Sequence, residues 1–223
     1  MQFEEALEGV LPLELPHRRR LIQAASRHLA MIVEANEYMN LTRITNPAEA
    51  AIKHVYDCIA PWPLFIGRKL VLDAGTGAGF PGIPLALLSP DTRFTLAESV
   101  GKKARFVESV VNELRLSNVT VAQERAEALA VAEKPEVITA RAVAPLDKLL
   151  DLFSNSLTTG TRLLLYKGPD VEAEIRGVES PSHAINIVKR YELPEQMGAR
   201  TVVEVRTTAR PPQAPAAARP FRR

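Results

Sequence analysis

Cysteine is nearly absent from this chain, and that removes whole classes of chemistry. Of its 223 residues only Cys58 is a cysteine, so no disulfide can close within the chain and no Cys-x-x-Cys metal cluster can form. A reducing, cytoplasmic setting is the expectation. Long apolar runs are lacking too: none approaches the roughly 20 residues of a membrane span. The first residues carry Glu4, Glu5 and Glu8 and do not read as a secretory signal. Histidine is scarce, and His17, His28 and His183 have no ligand spacing. His54 and Asp57 stand three apart on one helical face, as an acid–base pair, half a metal site or a link that fastens N-terminal helices to a sheet; no other ligand clusters with them, and no metal is expected. Net charge is only +2, so bulk charge announces no polyanionic partner. No internal repeat is apparent.

What is present suits one sizeable α/β core, since 46% of the residues are hydrophobic. Residues 17–38 space Leu21, Ala24, Ala25, His28, Leu29, Ile32 and Val33 as one apolar helical stripe. A second helix is expected over 47–59, with Asn46 as its cap, and Pro61 and Pro63 end it. Asn40 is left between capping a helix and reaching a substrate. From Lys69 onward strand and helix alternate, with strands ending at Asp73 and Glu98 and further ones at 119–122, 137–140 and 162–166. Such alternation predicts a doubly wound, mostly parallel sheet with helices on both faces. Segments 184–191 and 200–206 read as an antiparallel hairpin that completes seven strands. The expected organisation is an N-terminal helical extension over 1–66, the core over 67–209, and a basic, proline-rich tail over 210–223 without helix or strand pattern, expected to be disordered.

The densest signal is KLVLDAGTGAGFPG, residues 69–82. Leu70, Val71 and Leu72 have no polar face and read as a strand buried on both sides. Asp73 then stands at its carboxyl end, where open α/β sheets place ligands. Gly75, Gly77 and Gly79 let the backbone turn tightly and approach such a ligand. Gly77, Gly79 and Gly82 fit the dinucleotide fingerprint G-x-G-x-x-G, but an acid at the strand tip repels a pyrophosphate lying over the loop. It attracts S-adenosylmethionine, which has no phosphate and carries an ammonium and a sulfonium. Glu98, at the end of the next strand, is placed to accept both ribose hydroxyls of an adenosine. Phe80 flanks the donor or is an ordinary core aromatic.

The ordered set DAGTGAGFPGIPLAL, ES-x-GKKARFVE, ERAEAL, TARAVAPLDKLL and LLLYKG resembles the bacterial small-subunit (16S) ribosomal RNA guanine-N7 methyltransferases, the glucose-inhibited division protein B family. The likeness covers about residues 40–168, with NLT and KHVYDC as outlying matches. It implies a Rossmann-like methyltransferase core and an S-adenosylmethionine site at Asp73, Gly75, Gly77, Gly79, Phe80 and Glu98. It also implies cofactor contact at Ala126 and Glu127, beside the adenine, and at Arg141, whose alternative is a structural salt bridge.

The exit of the fourth strand, TARAVAP, has neither the Asn-Pro-Pro-Tyr of amine methyltransferases nor a cysteine for attack on a pyrimidine. That lack suits guanine N7, whose lone pair is free at neutral pH. No general base is therefore named, and catalysis is expected from positioning. Because N7 lies in the deep groove of an A-form duplex, a looped or splayed guanine is required. A loop of the small-subunit rRNA, free or in the ribosomal subunit, is the partner that the resemblance implies. Lys102, Lys103, Arg105 and Lys167 are candidates for the RNA face, with surface solvation as the alternative; Arg18 to Arg20 divide equally between those two roles. Three rivals stay open: a nicotinamide-type oxidoreductase, a non-catalytic RNA-binding assembly factor, and, on the mild net charge alone, methylation of a protein or small molecule.

Overall fold

The computed structural model describes residues 2–178 and 182–208, so the tail expected over 210–223 lies outside the described residues. Seven strands form one sheet: β1 (Leu70–Ala74), β2 (Arg93–Ala97), β3 (Val119–Ala122), β4 (Val137–Arg141), β5 (Arg162–Lys167), β6 (His183–Glu192) and β7 (Ala199–Thr207). Their order is β3-β2-β1-β4-β5-β7-β6. The first five run parallel, while β7 pairs antiparallel with β5 and β6 with β7. The expected doubly wound sheet with a closing hairpin is what forms. Strand order reverses between β1 and β4, so the connections that leave the carboxyl ends of these two paired strands run to opposite faces of the sheet and open a crevice.

Both faces of the sheet are covered, which is why its central strands lack a polar side. Val71, Phe94, Leu96, Val137, Leu164 and Val202 face one core, and Leu72, Ala97, Ile138, Leu163, Leu165 and Val203 face the other. The first face receives the N-terminal helices α1 (Gln2–Val10) and α2 (Arg18–Met39), together with α5 (Gly82–Leu88) and α6 (Gly101–Glu113). The second receives α7 (Ala126–Glu133), α8 (Leu146–Thr158) and α9 (Val171–Arg176).

Helix α1 falls within the helical extension expected over 1–66, although no helix is assigned there from the sequence before residue 17. Its signal was Phe3, Ala6, Leu7 and Val10 at helical spacing, with Leu7 fully buried. In α2 the buried stripe runs through Leu21, Ile22, Ala25, His28, Leu29, Ile32, Ala35 and Met39. Val33 lies outside it and is exposed, because one step of the helix rotates it about 100° from Ile32. Asn40 closes α2 in the left-handed conformation, φ 51°, which Asn tolerates better than most residues. Asn36 then folds the following turn, accepting N–H bonds from Leu41 and Thr42 and donating to Thr42 O. Of the three consecutive arginines, Arg18 is committed to the carbonyls of Glu8, Leu11 and Pro12, which locks α1 to α2.

The helix expected over 47–59 is interrupted. Asn46 caps α3 (Pro47–Ala50) by accepting the Glu49 N–H, a π-helical turn occupies Ala51–Tyr56, and α4 (Asp57–Ile59) follows. In the π turn the Asp57 N–H bonds Ile52 O. An α-helix would have sent it to Lys53 O, so that carbonyl is free for another donor.

Asn118 shows how β3 is tied in. Its side-chain amide lies within hydrogen-bond distance of three carbonyls at the α5–β2 junction, those of Ala86, Ser89 and Thr92. Replacing Asn118 with Ala removes this donor from all three, of which Ser89 O keeps the Thr92 N–H, and is expected to lower unfolding stability by about 1–3 kcal/mol. Urea denaturation measures it, and an unchanged midpoint would show that the junction does not depend on the clamp.

Candidate active site

The crevice between β1 and β4 is a cleft of about 770 Å³. Its floor is the loop after β1, where Gly75, Gly77 and Gly79 all have positive φ (66°, 63° and 99°), a conformation that L side chains rarely adopt. Asp73 lies beneath this loop and is fully buried. Its Oδ2 accepts the Thr76 hydroxyl at 2.6 Å and the Gly82 N–H at 2.8 Å, so one carboxylate oxygen fixes both the loop and the start of α5. Its Oδ1 is buried with no hydrogen-bond partner, and Asp73 enters no ion pair among the described residues. Burial raises the Asp73 carboxyl to about 6, against the pull of its two hydrogen bonds. Gly82 has to be glycine: a Cβ there would come within 2.7 Å of Asp73 Oδ2 and 2.2 Å of a Leu96 methyl.

Glu98 crosses from β2 to the same loop. One of its oxygens accepts the Gly77 N–H at 3.1 Å and the other the Val100 N–H at 2.8 Å. Each oxygen keeps lone-pair capacity for a further donor.

The opposite wall is built around Phe80. Its ring stacks on His28 at 4.7 Å and on His54 at 4.8 Å, with the Arg141 guanidinium 5.4 Å from its centroid. His28 Nε2–H donates to Ala78 O at 2.7 Å, and His54 shares a hydrogen bond with the Thr42 hydroxyl. Burial lowers both imidazoles, His28 to about 4 and His54 to about 3, the latter also repelled by Arg141. Arg141 Nη1 donates at 2.8 Å to Lys53 O, the carbonyl that the π turn releases, and at 3.2 Å to Asp57 Oδ2. Asp57 does not bond His54. It gathers Arg141 from β4, the Tyr191 hydroxyl from β6 at 2.8 Å, and Arg200 from β7 at 3.6 Å. It thus fastens the N-terminal helices to the sheet, through partners that the sequence did not disclose.

The structure brings Gly75, Gly77, Phe80, Glu98, Lys103, Arg141 and Lys167 to the cleft wall. Asp73 and Gly79 support it from below. Ala126 and Glu127 open α7 and are not among the residues lining the cleft; Glu127 pairs with Arg125 at 2.9 Å. Lys102 and Arg105 stand on the exposed side of α6, next to Lys103. Lys167 is committed: its ammonium donates to Ala144 O and to Glu174. Unforeseen wall residues include Val143, whose methyl sits 3.0 Å from where a Cβ on Gly75 would lie.

A model of the family described as rRNA small subunit methyltransferase G matches residues 21–201. The chain belongs to that family. The Ribosomal RNA small subunit methyltransferase G of Solibacter usitatus is 54% identical over 212 residues, covering 92% of this chain and 100% of the relative. That of Carboxydothermus hydrogenoformans is 38% identical over 195 residues, covering 82% and 81%. Among solved structures, a variant of MtNAS in complex with S-adenosylmethionine superimposes with TM-score 0.56 at 14% identity, over 92% of this chain and 84% of that one. The tRNA methyltransferase TrmK of B. subtilis does so with TM-score 0.52 at 17% identity, over 70% and 65%. These two share the fold. Family membership makes the chain a methyltransferase and sets aside the oxidoreductase reading of its glycines.

The buried groups of this methyltransferase set a pH dependence of stability. His28 and His54 are held neutral below the ordinary histidine range, so they withdraw stability as pH falls below about 6.5. Asp73 is held above the ordinary carboxylate range and returns part of it below about 6. Two protons against one leave stability falling by about 1.4 kcal/mol per pH unit from 6.5 toward 4. Urea midpoints across that range measure the slope, which His54→Gln is expected to flatten. A wild-type slope of zero or of opposite sign would contradict the assignment.

Proposed function

We propose that this member of the rRNA small subunit methyltransferase G family methylates N7 of a loop guanine in small-subunit (16S) ribosomal RNA, with S-adenosylmethionine as methyl donor. The observation that carries the reading is the buried Asp73 carboxylate, which enters no ion pair among the described residues, under three positive-φ glycines at the point where strand order reverses.

The residues present suit that donor. Asp73 is a negative charge in a low-dielectric setting, and a ligand bearing an ammonium and a sulfonium compensates it through the loop. A pyrophosphate would be repelled. Gly77 leaves space over the loop while Gly75 admits the Val143 methyl against its backbone, Glu98 has acceptor capacity for ribose hydroxyls, and Arg141 is a fixed cation facing the cleft for a carboxylate. When bound, S-adenosylmethionine supplies an electrophilic methyl group on sulfur.

The chain's own work is to orient the acceptor and exclude water. No side chain is assigned as a base, because N7 carries no proton to remove. The cleft is lined on its acceptor side by Thr42, Ile44 and Lys53 from the N-terminal segment and by Ala142 to Pro145 after β4. Lys103, with Lys102 and Arg105 beside it, forms the basic approach for the RNA backbone. The rRNA, free or in the ribosomal subunit, meets the enzyme in the cytoplasm.

The test is incubation with radiolabelled S-adenosylmethionine and 16S rRNA or small subunits from a strain lacking this activity, followed by N7-specific strand cleavage. One labelled loop guanine is expected. Donor binding without label on RNA or subunits would overturn the substrate, and label at another atom would overturn the chemistry. An RNA-binding assembly factor would bind RNA and transfer nothing.

A further inference from the structure

We propose that Glu174 is a positioning residue for methyl transfer: from α9 it holds the loop 142–146 closed over the cofactor loop. The proposal rests on the function proposed above.

This segment needs an external hold. Ala142 lies in the left-handed region at φ 55°, a conformation that costs a residue with a Cβ and persists only where surroundings impose it. On one side Val143 packs over Gly75. On the other, a single oxygen, Glu174 Oε2, accepts the Leu146 N–H at 2.8 Å and the Lys167 ammonium at 2.7 Å. Lys167 in turn donates to Ala144 O at 3.0 Å. Two points of the loop are therefore tied to one carboxylate, directly at Leu146 and through Lys167 at Ala144.

The Leu146 N–H belongs to the first turn of α8, where no intrahelical acceptor exists. Pro145 precedes it and has no hydroxyl or carboxylate to serve as a cap. Glu174, 28 residues further on, supplies that acceptor. The Lys167 side chain is only 9% exposed, and its ammonium is shared between Glu174 and Ala144 O. Hydrogen bonding to Lys167 accordingly lowers the Glu174 carboxyl against the opposing effect of its burial.

Loop 142–145 is the wall that an acceptor base must face, and a displacement of about 1 Å at such a wall is enough to slow transfer by about 100-fold. Opening the tie is expected to misplace the acceptor more than the donor, whose seat at Gly77 and Glu98 is fixed by bonds outside this loop.

Because one oxygen makes both bonds, the geometry distinguishes two variants. Glutamine can present its carbonyl oxygen where Oε2 stands and turn its amide outward; alanine can do neither. Glu174→Ala is expected to lower kcat on small-subunit rRNA at least about tenfold, with donor affinity within about twofold. Its Leu146 amide is expected to exchange with solvent at least about tenfold faster. Glu174→Gln is expected to restore both kcat and amide protection. Unchanged turnover in the alanine variant overturns the proposal, as does a glutamine variant as slow as alanine, or a loss that follows donor affinity or melting temperature. A wild-type enzyme that binds donor but labels no rRNA overturns the proposed function instead, and unaltered Leu146 exchange in the alanine variant then overturns the tie itself.

Discussion

The site depends on one buried carboxylate. Asp73 lies under the loop after β1 and takes the Thr76 hydroxyl and the Gly82 N–H on the same oxygen. Burying a carboxylate is costly, and hydrogen bonds to its charged form offset only part of that cost. In return the loop between Asp73 and Gly82 acquires a fixed path. Its three left-handed glycines point backbone rather than side chains at the cleft, and Gly82 must lack a Cβ because Asp73 and Leu96 occupy the space. Glu98 repeats the device from β2, tying the Gly77 N–H to a second acid. Two carboxylates thus shape a surface on which Gly75 and Gly77 present only backbone.

The opposite wall is made by helix and sheet together. A π turn in the N-terminal segment releases Lys53 O, Arg141 from β4 takes it, and Asp57, the first residue of α4, completes the guanidinium's hold. Phe80 is then gripped between His28 and His54 with Arg141 against its ring. Burial keeps both imidazoles neutral, which limits repulsion with the neighbouring guanidinium. The N-terminal helices are thereby part of the cleft, since the stack that fixes Phe80 draws His28 from α2 and His54 from the π turn.

What the sequence disclosed was local. The run ending at Asp73, the alternating glycines and the strand–helix alternation to Tyr166 are short-range patterns, and the C-terminal hairpin was read from two neighbouring strand-like segments. Asn46 as a cap was equally legible. Contacts that depend on distant partners were not. Asp57 was singled out for its spacing from His54, yet its ligands come from β4, β6 and β7, more than 80 residues away. Lys167 read as a candidate for the RNA face because the strand-to-helix turn that carries Glu174 back to it, and the loop that brings Ala144 O, are set by the fold and not by spacing in the sequence. Helix α1 escaped because its short apolar stripe acquires meaning only once α2 covers it, and the π turn because its apolar pattern passes equally well for α-helix.

The most direct measurement is the pH dependence of S-adenosylmethionine affinity by calorimetry, for the wild-type chain and for Asp73→Asn. If the Asp73 charge draws the cationic donor, wild-type affinity is expected to rise between pH 5 and 7 with a midpoint near 6, where burial places this carboxyl. The asparagine variant is then expected to bind more weakly at pH 7 and to lose that rise. A flat wild-type profile, or an asparagine variant that binds as tightly as wild type at pH 7, would contradict the central place given to Asp73.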